Sequence, residues 1–271
     1  MKFLEGLDDD IKNSLVVQLR NLWTHNSVAI EGNTLTLGET AFVIKEGLTI
    51  KGKPLKDHEE VVGHSTAIDL IFGLVNKKDP ISANDLFSLH TAVQTQRVVD
   101  IYRPVGNWKK EPNRAEVVIG DDQKIIEYSP PHQIQELMSL WLSFLNEHMN
   151  STITKKDAIE AYAKLHLAFV HIHPFYDGNG RMARLLSNLP VIKAGFPPIV
   201  ILKTDRYEYI QALANYQIGV GQIVKNESIL RENNQLRSFI TFCGESWAPS
   251  MELVEKAFID QKKRMRDQAS T

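Results

Sequence analysis

Residues 155–184 constrain this chain more than any other stretch. Ile159, Tyr162, Leu165, Phe169 and Ile172 recur at helical spacing, predicting a buried helix over Lys155 to Ile172 that delivers His173 at its end. The next residues read His-Pro-Phe-Tyr-Asp-Gly-Asn-Gly-Arg-Met-Ala-Arg, from His173 to Arg184. Gly178 and Gly180 permit a turn whose N–H groups point outward, and the helix that starts there adds the positive end of its dipole, so the turn favours an anion. Arg181 and Arg184 are three apart on that helix, so both guanidinium forks are expected to reach one phosphate chain. Asp177 supplies a hard oxygen ligand suited to Mg²⁺, with Mn²⁺ as the alternative ion. Only His173 in the group can take a proton near neutral pH. Together these residues describe a polyphosphate site with a built-in base.

The rest of the chain is predominantly helical. Ile11, Leu15, Leu19, Leu22 and Trp23 open a helix that stops at Glu31, before Gly32-Asn33. Thr36 and Glu39 have the spacing of a capping box for a helix to Glu46, closed by Gly47. Further helices are predicted over Asp57 to Val75, Ser82 to Val93, Pro131 to His148 and Asp205 to Gln217, with two more between residues 230 and 267. β character is confined to Val117-Val118-Ile119 and Ile125-Ile126, separated by Gly120-Asp121-Asp122, which predicts a short hairpin. The expected class is all-α with one small hairpin.

With 271 residues, 43% of them apolar, and a net charge of -2, the chain can bury a full core and shows no electrostatic footprint for nucleic acid. The basic run Lys262 to Arg266 is read as a solvated face at a helix C-terminus. Cys243, the single cysteine, sits among apolar residues and is read as a core thiol. No apolar run resembles a signal peptide or a membrane span, so the expected location is the cytoplasm, without membrane attachment. His166, His171 and His173 raise a metal site as an alternative, but on a helix their side chains diverge around the axis.

The stretch from His173 to Arg184 resembles the Fic-domain signature HPFx(D/E)GNGRxxR at every specified position. This resemblance implies a Fic fold: a helical core with a β-hairpin flap and additional N-terminal helices. It also implies an enzyme, a nucleotidyltransferase that moves AMP from ATP onto a Ser, Thr or Tyr hydroxyl of a protein. In that scheme His173 deprotonates the target hydroxyl and Asp177 holds Mg²⁺ with the phosphates. Gly178, Asn179 and Gly180 form the anion cradle, Arg181 contacts the β-phosphate and Arg184 the γ-phosphate. Val118, Ile119 and Gly120 fall in the flap, while Tyr209 and Gln217 match positions near the adenine, although many relatives carry asparagine where this chain has Gln217. Ser27 to Asn33 resembles the inhibitory motif (S/T)xxxE(G/N), which implies that Glu31, with Ser27, pairs with Arg184 and blocks the γ-phosphate. The expected organisation is an inhibitory helical module over residues 1–56, a Fic core over 57–245 and a C-terminal helix over 246–271. Expected partners are a protein substrate, the chain itself through self-modification, and a second copy in a homo-oligomer. Removal of AMP, phosphoryl transfer on the same fold, and a non-catalytic nucleotide-sensing module stand as alternatives. Relatives that transfer phosphate carry lysine where this chain has Gly180, which disfavours the second of these.

Overall fold

The computed structural model describes residues 1–95, 100–119, 122–151 and 154–269. Within them lie eleven α-helices and one antiparallel hairpin: α1 (Asp9–Ile30), α2 (Leu37–Glu46), α3 (Leu55–Val75), α4 (Ala83–Val93), β1 (Arg114–Ile119), β2 (Asp122–Glu127), α5 (Ile134–Asn150), α6 (Lys155–Ile172), α7 (Asn179–Leu186), α8 (Asn188–Lys193), α9 (Arg206–Val220), α10 (Asn234–Glu245) and α11 (Ala248–Ala269). No helix among the described residues is long and apolar enough to cross a membrane.

α6 is the central element. Its residues Tyr162, Leu165, Phe169 and Ile172 are fully buried, and α5, α7, α8 and α10 surround it. From Ala161 to Ile172 every residue but Lys164 is buried, and both ends of the helix are satisfied locally. Thr154 and Asp157 form a capping box at its start, and His173 ends it in the left-handed region, at φ 55° and ψ 61°. Few non-glycine residues adopt that conformation, so the turn after α6 is held by its surroundings. Trp23 and Ile30 of α1 join the same core, whereas Phe3, Leu7, Leu15 and Leu19 pack on Val254 and Ala257 of α11. The first and last helices therefore share a second apolar cluster.

Three sequence expectations are corrected. Asp122, expected in the hairpin turn, pairs with Ile119 as the first residue of β2; Gly120 and Asp121 lie outside the described residues. Pro131 opens a 3-10 turn over Pro131–Gln133, and α5 starts only at Ile134. The basic run near the C-terminus is not simply solvated. Arg264 donates to both carboxylate oxygens of Asp10 at 2.7 and 2.6 Å and to Asp8 at 3.1 Å, tying α11 to the start of α1.

Candidate active site

The loop between α6 and α7 is fastened carbonyl by carbonyl. Lys109 N–H donates to the Pro174 carbonyl at 2.9 Å, Asn113 Nδ2 to those of Phe175 and Tyr176 at 3.1 and 3.3 Å, and His90 Nε2 to that of Asp177 at 3.1 Å. Phe175 is fully buried and stacks on His90, with ring centroids 3.9 Å apart, and packs beside Phe87 and Trp108. Backbone groups that would point at random in a free loop are thereby fixed, and the N–H groups at the start of α7 keep one direction.

Gly178, at φ 78°, is the N-cap of α7. The N–H groups of its first turn are the donors that a phosphate would meet. The side chain of Asn179 is not among them. Its Oδ1 accepts from Phe175 N–H at 3.0 Å and its Nδ2 donates to the Phe175 carbonyl at 2.9 Å, so Asn179 shapes the loop and can contribute to an anion cradle only through its backbone. This corrects its sequence assignment.

His173 Nδ1 lies 3.0 Å from the Val170 carbonyl, which can only accept, so Nδ1 carries the proton and Nε2 keeps a lone pair. The ring stacks on Tyr128 with centroids 3.7 Å apart and planes within 9°. Burial, then the ammonium of Lys109, holds the imidazole well below its ordinary range. The ring is therefore neutral near pH 7, the form a general base requires.

Asp177 is 62% exposed at its side chain. Gln94 Nε2 donates to Oδ2 at 3.1 Å and Arg181 NH2 lies 3.6 Å from the same oxygen. Burial of the carboxyl pushes its pKa up, but Arg181 and Gln94 outweigh this and hold it below the usual carboxylate range. Both contacts fall on Oδ2. An ionised carboxylate open to solvent fits a hard cation such as Mg²⁺.

The two arginines diverge. Arg181 turns toward α3 and α4, donating to the Val93 carbonyl at 3.3 Å with Glu60 3.9 Å away. Arg184 turns toward α1: NH2 donates to Glu31 Oε1 at 2.6 Å and to the Ser27 carbonyl at 2.8 Å, and Nε donates to Ser27 Oγ at 3.1 Å. The shared-face expectation is thus corrected: both guanidinium groups are buried, and they turn to different carboxylates, Glu60 of α3 and Glu31 just after α1. Gly180 is where α7 and Glu31 meet, since a Cβ there would stand 2.6 Å from Glu31 Oε1 and 3.2 Å from Arg184 NH1.

Tyr209 does not face an open base site. The ring is 1% exposed, its hydroxyl accepts from Arg184 NH1 at 3.2 Å, and it lies 3.1 Å from His166 Nε2. Gln217 is buried, its Nε2 without a partner among the described residues, beside a groove of about 330 Å³ lined by Lys124, Ile126, Ile218 and Gln222. In the flap, Gln211 of α9 donates to the Val118 carbonyl at 2.9 Å, and Ile126 and Tyr128 pack on Ala214 beneath. Ile119 closes β1 by pairing with Asp122, and Gly120 is outside the described residues. The three histidines point apart: His166 to Tyr209, His171 to Tyr216, His173 to Val170 and Tyr128.

Sequence reasoning missed Gln94, Lys109, Asn113 and Tyr128. Lys109 is 2% exposed, donates from Nζ to Asn113 Oδ1 at 2.6 Å, and burial lowers its pKa to about 7. None of these residues stands in a spacing pattern with His173, so only the fold brings them to it.

Residues 80–191 match the family model described as Fic/DOC family. Protein adenylyltransferase fic-1 of Caenorhabditis elegans is 35% identical over 200 residues, which are 73% of this chain and 37% of that protein. Protein adenylyltransferase Fic of Aedes aegypti is 34% identical over 195 residues, 70% of this chain and 35% of that protein. The chain thus spans little more than a third of the length of these curated relatives. Among solved structures, a Fic domain containing signaling protein from Bacteroides thetaiotaomicron superposes with a TM-score of 0.81 at 28% identity, covering 94% of this chain and 92% of that one. The chain belongs to the Fic/DOC family, with residues 80–191 as its Fic domain.

Proposed function

We propose that this chain transfers AMP from ATP to a hydroxyl of a protein, its own surface included, and that Glu31 holds the activity in check. Its relatives carry the name protein adenylyltransferase. The observation that carries the reading is the convergence, at one helix start, of a neutral His173, the ionised Asp177, the first-turn N–H groups of α7 and an Arg184 already occupied by a carboxylate. In the reaction, His173 Nε2 takes the proton of a Ser, Thr or Tyr hydroxyl. The oxygen then bonds to the α-phosphorus, and the bond from that phosphorus to pyrophosphate breaks. The N–H groups of Asn179, Gly180 and Arg181 stabilise the phosphate charge that grows as pyrophosphate leaves. Asp177 would hold Mg²⁺, which supplies charge neutralisation on the phosphates. The unpaired amide of Gln217 is suited to the edge of the base.

Residues 1–56 would act as the inhibitory module, 57–245 as the catalytic core and 246–271 as the closing helix. With Glu31 on Arg184, the γ-phosphate and the carboxylate compete for one guanidinium fork, so ATP is excluded or held in a pose unfit for in-line attack. Incubation with α-labelled and γ-labelled ATP in separate reactions tests the assignment. Label from the α-phosphorus is expected on protein. Recovery of γ label alone would assign phosphoryl transfer, and recovery of neither with the Glu31→Gly variant would assign a nucleotide-sensing module.

A further inference from the structure

We propose that Tyr209 is the positioning residue that keeps Arg184 in place for nucleotide once the inhibitory helix lets go. This rests on the reading of Arg184 as a nucleotide-binding group, and it gives Tyr209 a task other than contact with a base.

Arg184 makes four side-chain hydrogen bonds, and their distribution decides the matter. Three of the acceptors are on or at the end of α1: Ser27 Oγ, the Ser27 carbonyl and Glu31 Oε1. The fourth, the Tyr209 hydroxyl at 3.2 Å, comes from α9 in the body of the domain. Any displacement of the end of α1 therefore takes three acceptors away together. A guanidinium on a long stem would then gain rotamer freedom, and a mobile fork binds phosphate less well than a fixed one. Tyr209 resists this because it has no freedom of its own. It is 1% exposed, its ring is packed between His166 and Phe242, and the guanidinium carbon lies 5.7 Å from its centroid.

The polarity of the hydroxyl is also set. A guanidinium can only donate, so the Tyr209 oxygen accepts from NH1 and turns its own proton to His166 Nε2, 3.1 Å away. Burial, reinforced by the charge of Arg184, keeps His166 neutral and therefore able to accept. With NH1 held from the α9 side, NH2 and Nε are the nitrogens that α1 gives up, and they form the edge left for a phosphate oxygen pair.

The test is a binding cycle in the Glu31→Gly background, read by calorimetry with ATP and with AMP. Tyr209→Phe, which removes only the hydroxyl, should weaken ATP binding roughly 10-fold while AMP, lacking the outer phosphates, stays within about 2-fold. Arg184→Ala should weaken ATP by a similar or larger factor, and adding Tyr209→Phe to it should cost nothing more, because the hydroxyl acts only through that arginine. Equal losses for ATP and AMP, additive losses with Arg184→Ala, or no loss with Tyr209→Phe would each overturn the assignment. If Tyr209→Phe does not fold, His166→Leu keeps the hydroxyl but removes the acceptor that orients it, and the same selective loss for ATP is expected. Because the readout is binding, a protein that passes this cycle yet moves no AMP onto protein would refute the proposed reaction and leave the role of Tyr209 standing.

Discussion

Glu31 Oε1 and Arg184 NH2 lie 2.6 Å apart across 153 residues of sequence, and the two side chains occupy opposite environments: the arginine is 3% exposed, the glutamate 40%. A pair buried on one side and wet on the other is opened from the wet side, where rehydration of the carboxylate offsets part of the cost. The guanidinium is not stranded as α1 gives it up, since the Tyr209 hydroxyl, carried by α9, remains as an acceptor.

Glu31→Gly should therefore fold normally and transfer AMP faster. Glu31 caps α1 at φ -87°, an ordinary conformation that glycine also adopts. Loss of one charge-assisted contact is worth about 1 to 3 kcal/mol, or roughly 5- to 150-fold in productive ATP occupancy at subsaturating nucleotide. Initial rates with α-labelled ATP measure it. Arg184→Ala in the same background should erase the gain, and equal rates for wild type and Glu31→Gly would leave Glu31 as a helix terminus only.

Gly180→Ala probes the same pair without altering either partner. The new Cβ would meet Glu31 Oε1 at 2.6 Å and must push the carboxylate off the guanidinium. In the wild type this should cost stability up to the worth of the pair, about 1 to 3 kcal/mol. In Glu31→Gly only Arg184 NH1, 3.2 Å from the new Cβ, stays close; once that long side chain gives by a few tenths of an ångström, alanine in a helix should be neutral or stabilising by about 0.5 to 1 kcal/mol. Thermal unfolding of the four proteins reads the sign change; the same shift in both backgrounds would show that the carboxylate does not set the space at Gly180.

His173 should be tested with asparagine as well as alanine. At φ 55° histidine already carries the cost of the left-handed region, and asparagine accepts that region more readily than alanine does. Both variants also lose the stack on Tyr128. Transfer by His173→Asn should fall about 10²-fold or more with ATP affinity within a few-fold, since base and binding are separate functions here. Unimpaired transfer, or lost ATP binding in a folded variant, would contradict the role of His173 as base.

Much of this site can be read from local sequence because its decisive features are local. The stripe from Ile159 to Ile172 predicts α6 to the residue, and the Thr36 and Ser82 capping boxes fix the starts of α2 and α4. The pairing of Glu31 with Arg184 rested on a motif resemblance, and the structure joins the two residues. What stayed hidden depends on direction and distance. Helical spacing puts Arg181 and Arg184 on neighbouring positions, but their long side chains turn to different carboxylates, Glu60 on α3 and Glu31 after α1. Asn179 turns inward because the Phe175 N–H would otherwise be buried without a partner, and its Nδ2 joins Asn113 on the Phe175 carbonyl. Lys109 and Tyr128 reach His173 only through the path of the chain around the hairpin, which no periodicity encodes.

The final prediction concerns acid. His90 Nδ1 accepts from Gly106 N–H at 2.9 Å, while Nε2 donates to the Asp177 carbonyl at 3.1 Å and the ring stacks on Phe175. Protonation would set a donor against a donor at Gly106, and burial, the largest influence, lowers the pKa from 6.5 to about 4. Between those values the unfolded chain binds a proton at this position and the folded chain does not, so stability is full above pH 6.5 and declines as pH falls toward 4. The slope contributed by one such group approaches about 1.4 kcal/mol per pH unit, or roughly 3 kcal/mol over the window. Burial also depresses His64, His166 and His171, so the whole protein should lose stability more steeply than one residue accounts for. His90→Gln should be less stable than wild type at pH 8, because one amide cannot reproduce both hydrogen bonds and the stack. Its curve should nevertheless flatten between pH 6.5 and 4, and the two proteins should converge at the acid end. Urea unfolding at half-unit pH steps measures this, with nucleotide affinity followed in parallel, since the bond to Asp177 is one of those that fix the phosphate loop. Parallel pH curves for wild type and His90→Gln would show that another group carries the acid sensitivity.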